Sequence, residues 1–437
     1  MAYPDLPDLR PLAETLRDHA LDQSERGAED IEIVYNTARQ ALSKAIEQMQ
    51  QLPIDPEKAA REPNDLDAIR RLRPDGPRRM IAAGQLDRAE LRERLSGALL
   101  ARMAGCTLGA PVEFWFIDRM KSLARQTGQP FPPVDYWTDI PEPEALRYKV
   151  SPNAAYTREG MDGVPVDDDV TYTLLGLLIA EDHGLDFTTD DVGVAWQKYL
   201  PYACTAEAVA LDNLSKGVPA IKAAERDNPS QQWIGAAIRA DPWGYIAAAW
   251  PEKAAELAYR DAILSHRRNG VYAAIFFAAA IAAALVVDDP MQAIEIGLTE
   301  IPIDCDLTVA VRWALEIAPS LSDYQQAKDA MLQRFDGMHC VHAISNACLV
   351  VWGLSIGGCD ITRVLGETVA MGHDNDCNAA TAGSIVGAVV GERQIPRHWI
   401  RPFHNTVHTY MKQARKFEID DVIDRFCRLS RRLHEQA

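Results

Sequence analysis

Gly372-His373-Asp374-Asn375-Asp376-Cys377-Asn378-Ala379-Ala380 runs from an acidic turn directly into a stretch of small, apolar residues that continues to Val390. The order matters because carboxylates gathered just before a helix face its unpaired N–H groups and the positive end of its dipole, where an anion or an anion-held cation is well placed. Two hundred residues earlier the pattern recurs: Asp167-Asp168-Asp169 leads into Val170-Thr171-Tyr172-Thr173-Leu174-Leu175, a helical sequence. One or two acids in such a position are ordinary caps. Three adjacent carboxylates repel one another unless a cation joins them. Asp374 and Asp376, two residues apart in a turn, can direct oxygens at one hard ion. Two oxygen-rich clusters, each opening a helix, point to a site for Mg²⁺ or Mn²⁺, and the absence of a neighbouring His or Cys pair argues against zinc.

Composition narrows the class. The chain has 437 residues, of which 47% are hydrophobic and 25% charged, ample for a large core and too apolar for disorder. Its formal net charge of -18, with no long basic run, opposes binding to nucleic-acid backbones or anionic lipid. The opening Met1-Ala2-Tyr3-Pro4-Asp5 lacks the basic-then-apolar pattern of a signal peptide, so a cytoplasmic location is expected. The apolar stretches 271–287 and 379–390 fall short of the roughly 20 residues that span hydrocarbon and are expected to be buried helices, with no membrane partner. Eight cysteines without CxxC spacing fit free thiols in a reducing compartment.

The pattern along the chain is helical throughout. Ile31, Val34, Ala38, Leu42, Ala45, Met49 and Leu52 recur every three or four positions, predicting an amphipathic helix over 28–52. Residues 61–79, rich in Pro and charge, read as a linker or surface arm. From 85 onward, helices are predicted at 86–103, 170–183, 190–202, 251–265, 271–287, 289–298, 308–318, 344–352, 361–371 and 378–390, with no sustained strand alternation. The expected organisation is an all-α protein: an N-terminal helical extension and linker over 1–84, then a compact helical domain over 85–437. The extension could cover the site or form a homodimer contact. The segment 118–157, with Pro130, Pro132, Pro133, Pro141, Pro143 and Pro152, is expected to be a long loop near the site.

These clusters resemble those of the ADP-ribosylglycohydrolases, which include the dinitrogenase reductase activating enzyme, and the resemblance runs from about Leu91 to Gly391. Gly105-Cys106-Thr107-Leu108-Gly109-Ala110-Pro111-Val112-Glu113 resembles the family's opening Gly-Asp, Gly-x-Pro-x-Glu signature, with Cys106 at the usual Asp. Asp167, Asp168 and Asp169 match its Thr-Asp-Asp turn, with Asp for Thr. Asp374, Asp376 and Cys377 match its Asp-x-Asp-Thr/Ser. Asn269-Gly270 matches part of the Gly-Asn-Gly loop that approaches the substrate diphosphate, while the downstream Met-Arg pair is missing near Ile275-Phe276. Asp241-Pro242-Trp243-Gly244-Tyr245 suggests a divergent branch.

The resemblance implies an all-α orthogonal bundle, two Mg²⁺ ions (Mn²⁺ as an alternative) held by Asp167, Asp168, Asp169, Asp374, Asp376 and Cys377, and a catalytic role for Glu113 with Asp168. It implies hydrolysis of a ribosyl glycosidic bond, removing ADP-ribose from a modified protein or small molecule. Hydrolysis of a nucleoside or nucleotide N-glycosidic bond is the alternative, and a catalytically silent metal-binding protein a third. Asn269, Gly270, Tyr272, Trp243, His373 and Asn375 are candidate substrate contacts. For Trp243 and Tyr272, stacking on a base and core packing are equally open. Cys377 places sulfur where a hydroxyl is usual, a poor partner for a hard ion. Ser265-His266 are neighbours without an identifiable third group, which falls short of a nucleophilic dyad.

Overall fold

The computed structural model describes residues 3–82, 85 and 87–436. The chain forms an all-α fold in which 63% of residues are helical and 3% lie in strands. It divides into two compact units, 1–60 and 61–437. The first contains the helices Arg10–Glu25 and Ile31–Gln50, neither of which buries a residue.

Within the second unit, the helix pair that decides the architecture is Arg88–Gly109 with Asn375–Val390. Gly97, Ala101, Gly105 and Gly109 recur every four residues and so share one face. A methyl group added at Gly97 would sit 2.2 Å from the Gly387 carbonyl oxygen, one at Gly105 2.1 Å from that of Ala379, and one at Gly383 2.4 Å from that of Ala101. The two helices therefore run antiparallel at a separation that only small side chains permit. At the end of this seam, a Cβ at Gly109 would fall 2.4 Å from the Cα of Asp376. The same packing that builds the core sets the turn before Glu113 against the second acidic cluster.

Helix Asn269–Ala284 is buried along its whole length and is flanked by Asp241–Ile246, Pro251–Ala262 and Pro290–Leu298. Helix Arg88–Gly109 with its short extension, spanning Arg88–Val112, is long and apolar enough to cross a membrane by length and composition, but its apolar window is wholly inside the protein. Burial on all sides accounts for its lack of a polar face.

Most predicted helices are found, displaced by a few residues; the expected start at Leu86 lies outside the described residues, and that helix runs on to Gly109. Two segments differ. The 118–157 insert is not one long loop: helix Ile117–Thr127 opens it, burying Met120, Leu123 and Ala124, and a two-stranded ribbon, Leu146–Arg147 against Ser151–Pro152, crosses it. Prolines masked a period carried by only three apolar residues. Residues 61–79 belong to the second unit rather than forming a separate arm. Helix Leu66–Leu72 is capped by Asp65 and buries Ile69, while Arg73 and Arg78 converge on the carboxylate of Glu300. Helices Arg10–Glu25, Thr205–Ser215, Tyr324–Arg334 and Ile419–Glu435 were not anticipated.

Candidate active site

The two acidic turns meet. Asp167 is the N-cap of helix Asp168–His183, its carboxylate accepting from the Asp169 N–H at 3.1 Å. Asp374 occupies the N-cap position of Asn375–Val390 without capping it through its side chain, after Gly372 and His373, both of which adopt left-handed backbone. The link between them is Arg147, on the ribbon. Its Nη2 lies 2.9 Å from Glu113 Oε2, 3.3 Å from Asp167 Oδ2 and 3.3 Å from Asp376 Oδ2. Its Nη1 donates to the Ala110 carbonyl at 2.6 Å. The next residue, Tyr148, donates its hydroxyl to Asp168 Oδ1 at 2.6 Å.

Behind this layer Arg102, fully buried at the centre of the glycine-lined helix, fixes the third aspartate. Its Nη2 lies 3.2 Å from Asp169 Oδ1 and donates to the carbonyls of Asp169 and Ile238, while Nη1 meets Asp241 Oδ2 at 2.8 Å. Cys106, Asp167 and Asp169 offer ligand atoms within 4.8 Å of one another, as do Asp374, Asp376 and Cys377.

Charge in this cluster is out of balance. Glu113, Asp167, Asp168, Asp169, Asp374 and Asp376 face one another with Arg147 and Arg102 as counter-charges. Burial, then mutual repulsion, pushes the carboxyl groups of Asp374 and Glu113 well above the ordinary range, and Asp168 up to about 7. Asp167 and Asp376 are raised by burial although Arg147 pulls them down. Oδ2 of Asp169 and Oδ1 of Asp374 are buried without a hydrogen-bond partner among the described residues. Buried carboxylate oxygens left without donors are costly. A hard divalent cation satisfies that deficit, so this donor set fits such an ion.

The cluster opens into a cavity of about 450 Å³ lined by Glu113, Arg147, Tyr148, Asp168, Asp374 and Cys377 together with Tyr172, Tyr202, Glu207 and Trp233. Its carboxylates suit a cation and a sugar diol, and its aromatic side chains a flat ring.

The family's profile matches residues 87–436, which contain every one of these groups. The chain belongs to the ADP-ribosylglycohydrolase family. Membership makes it a member of a hydrolase family and agrees with the all-α fold. A solved structure described as an "ADP-ribosylglycohydrolase-related protein complex" shares the fold at a TM-score of 0.52 and 19% identity, covering 79% of this chain and 99% of that one. No curated protein matched the chain.

Other candidates from the sequence stand elsewhere. Asn269 and Gly270 do not form a loop at the cavity. Asn269 is buried, accepts from the Leu307 N–H at 3.0 Å and donates to Glu62 and Gln232, and a Cβ at Gly270 would lie 2.4 Å from the Gln231 carbonyl. Tyr272 is buried, with its hydroxyl on the Pro63 carbonyl, and Trp243 is buried against Phe187 at 4.8 Å between ring centres. The substrate role gives way to packing for all four: the segment 61–82 and the core take up the polar atoms of Asn269 and Tyr272, the Gln231 backbone crowds Gly270, and Trp243 is enclosed in the core.

Asn375 is also structural: its amide donates to the carbonyls of Val112 and Val369, tying the acidic turn to the strand of chain before Glu113. His373 sits at the turn but its Nδ1 meets Lys328 Nζ at 2.6 Å, and burial with that neighbour lowers its pKa to about 3. Ser265 and His266 bond at 2.8 Å but are fully buried, with the Ser265 hydroxyl already held by Arg239.

Sequence reasoning missed Arg147, Tyr148, Tyr202, Glu207 and Trp233. Arg147 and Tyr148 lay in a segment read as loop, and no local period marked them. An Arg-Tyr pair between two proline-rich runs was the one available signal.

Proposed function

We propose that this family member hydrolyses a ribosyl glycosidic bond with the help of Mg²⁺ or Mn²⁺, releasing ADP-ribose from a modified acceptor. The observation that carries this reading is the convergence of Asp168, Asp374 and Glu113 on one cavity, with Asp167 and Asp376 joined to them through Arg147 and with buried carboxylate oxygens left without donors. A divalent ion held by Asp168, Asp374 and Asp376 would orient the ribose diol and lower the pKa of a bound water.

The chain's own groups account for the rest. Glu113, whose carboxyl burial and Asp376 push above the ordinary range while Arg147 opposes them, lies at the cavity edge where it can hand a proton to the departing group. Tyr148 orients Asp168 through its hydroxyl. Trp233, stacked on His339 at 4.2 Å, supplies a rigid flat face to the cavity lining.

The test is release of free ADP-ribose from arginine- or serine-linked protein in the presence of Mg²⁺ or Mn²⁺. EDTA, or Asp168→Asn, should abolish it; turnover that survives both would refute the metal-assisted reading. Cleavage of a nucleoside or nucleotide N-glycosidic bond is the second reading, favoured by the burial of Asn269, which leaves that segment unable to grip a diphosphate. Base release from nucleosides, with none from ADP-ribosylated protein, would select it.

A further inference from the structure

The guanidinium of Arg147 lies where a cation is called for. It bridges the two acidic turns and Glu113 through one nitrogen, while its other terminal nitrogen is spent on the Ala110 carbonyl. We propose that Arg147 is a resident part of the metal centre, replacing one of two divalent cations, so that this chain binds a single divalent ion beside Asp374. This deepens the metal-assisted reading above and rests on it.

Five observations support a fixed rather than a passing arginine. Its ribbon is anchored on both sides of the site: Tyr148 donates to Asp168, the Tyr202 hydroxyl donates to the Tyr148 carbonyl, and the ring of Tyr148 stacks on Tyr410 at 5.4 Å, which stacks in turn on Tyr202 at 5.0 Å. Tyr148 and Lys149 both hold left-handed backbone, at φ 50° and 61°, a strain that persists only where the surroundings over-determine it. It is this turn that aims Arg147 inward.

The neighbouring residues also reduce the demand for a second ion. Cys106 stands beside Asp167 and Asp169, so a thiol and not a further carboxylate completes that group. Cys377 replaces a hard hydroxyl ligand by sulfur. A guanidinium is permanently charged and presents its donors in a planar fork suited to several carboxylates at once. A divalent ion placed against the same oxygens of Asp167 and Asp376 would have to expel it. Of the two buried oxygens without a donor, the one on Asp169 lies in the group with Cys106 and Asp167, whose carboxylates already meet Arg102 and Arg147, whereas the one on Asp374 lies in the group with Asp376 and Cys377 and marks the position left for one ion.

The experiment is a count of bound metal on the full chain. Chelator-stripped protein is dialysed to equilibrium against Mn²⁺, the metal is counted by elemental mass spectrometry, and electron paramagnetic resonance reports whether ions are paired. Wild type should hold about one ion per chain with an uncoupled signal, Arg147→Lys the same, and Arg147→Gln about two with an exchange-coupled signal. Two ions or a coupled pair in wild type would overturn the inference, as would a folded Arg147→Gln that still binds one.

Should Arg147→Gln fail to fold, the wild-type count and its spectrum decide alone. One ion bound without release of ADP-ribose or base sinks the proposed function and leaves the inference standing. Two ions with full turnover do the reverse, and no bound ion overturns both.

Discussion

Two buried ionic clusters in this protein invite comparison. Around Arg239, one cation meets two carboxylates: Nε lies 2.8 Å from Asp261 Oδ2 and Nη1 2.9 Å from Glu207 Oε1, with the Ser265 hydroxyl at 3.1 Å and the ring faces of Trp196 and Tyr172 alongside. The donors of that guanidinium are taken up inside the fold. Around Arg147, one guanidinium is shared by Glu113, Asp167 and Asp376, while Asp169 and Asp374 keep oxygens without donors. Asp167 and Asp376 are as buried as Glu207 and Asp261, so burial of the carboxylates alone does not separate the clusters, although Arg147 and Glu113 reach the cavity. The difference lies in whether the fold supplies the partners itself or leaves them to a ligand.

That contrast is sharpest where the same kind of change should have opposite effects. Asp376→Asn removes a carboxylate from the crowded cluster and is expected to lower turnover by about 10³-fold, on the scale of losing a preorganised charge-stabilising group. Metal-free Asp376→Asn should melt no lower than wild type, since one like-charge repulsion is gone. A marked fall in melting temperature with activity retained would erase the distinction. Arg239→Leu, by contrast, strands Glu207 and Asp261 in the core and should destabilise by about 3–5 kcal/mol, read from denaturant unfolding. An unchanged unfolding midpoint would mean that the Arg239 cluster is not structural.

Asn269→Ala tests the segment expected to touch substrate. Loss of its contacts to Leu307, Glu62 and Gln232 should cost about 1–3 kcal/mol of stability while KM stays the same. A raised KM with unaltered stability would return Asn269 to the site.

The smallest effect concerns His266, beside the Arg239 cluster. Burial, then Arg239 and Arg267, holds its pKa well below 6.5, so below that pH the unfolded chain takes up a proton that the folded chain refuses. Stability should therefore decline as pH falls beneath 6.5, by about 1 kcal/mol over the first pH unit. His266→Gln should flatten that part of the profile; an identical slope in both proteins would remove His266 from the account.

Much of the fold could be read in advance because its signals are local. The small-residue run after Asn378, the apolar stretch at 271–287 and the spacing of charges between them each predict a helix without reference to neighbours. The acidic turns were visible for the same reason, since three adjacent carboxylates are improbable without a compensating charge. Misreadings arose where a local motif had two physical outcomes. Asn269-Gly270 is as good a helix opening as a phosphate loop, and only the packing of residues 61–82 against it, through Glu62 and the Pro63 carbonyl, decides between them. Helix Ile117–Thr127 carried too few apolar positions to stand out among prolines.

By itself, then, the sequence determined the helical character of the chain, the small faces at Gly97, Ala101, Gly105 and Gly109, and the two carboxylate turns, because each depends on residues a few positions apart. Tertiary structure alone decided that Arg147 enters the acidic cluster, that Arg102 lies beneath it, and that Ser265 and His266 are sealed away. Those outcomes depend on which oxygens come within about 3 Å of which donors, a distance set by how distant helices pack and by no periodicity along the chain.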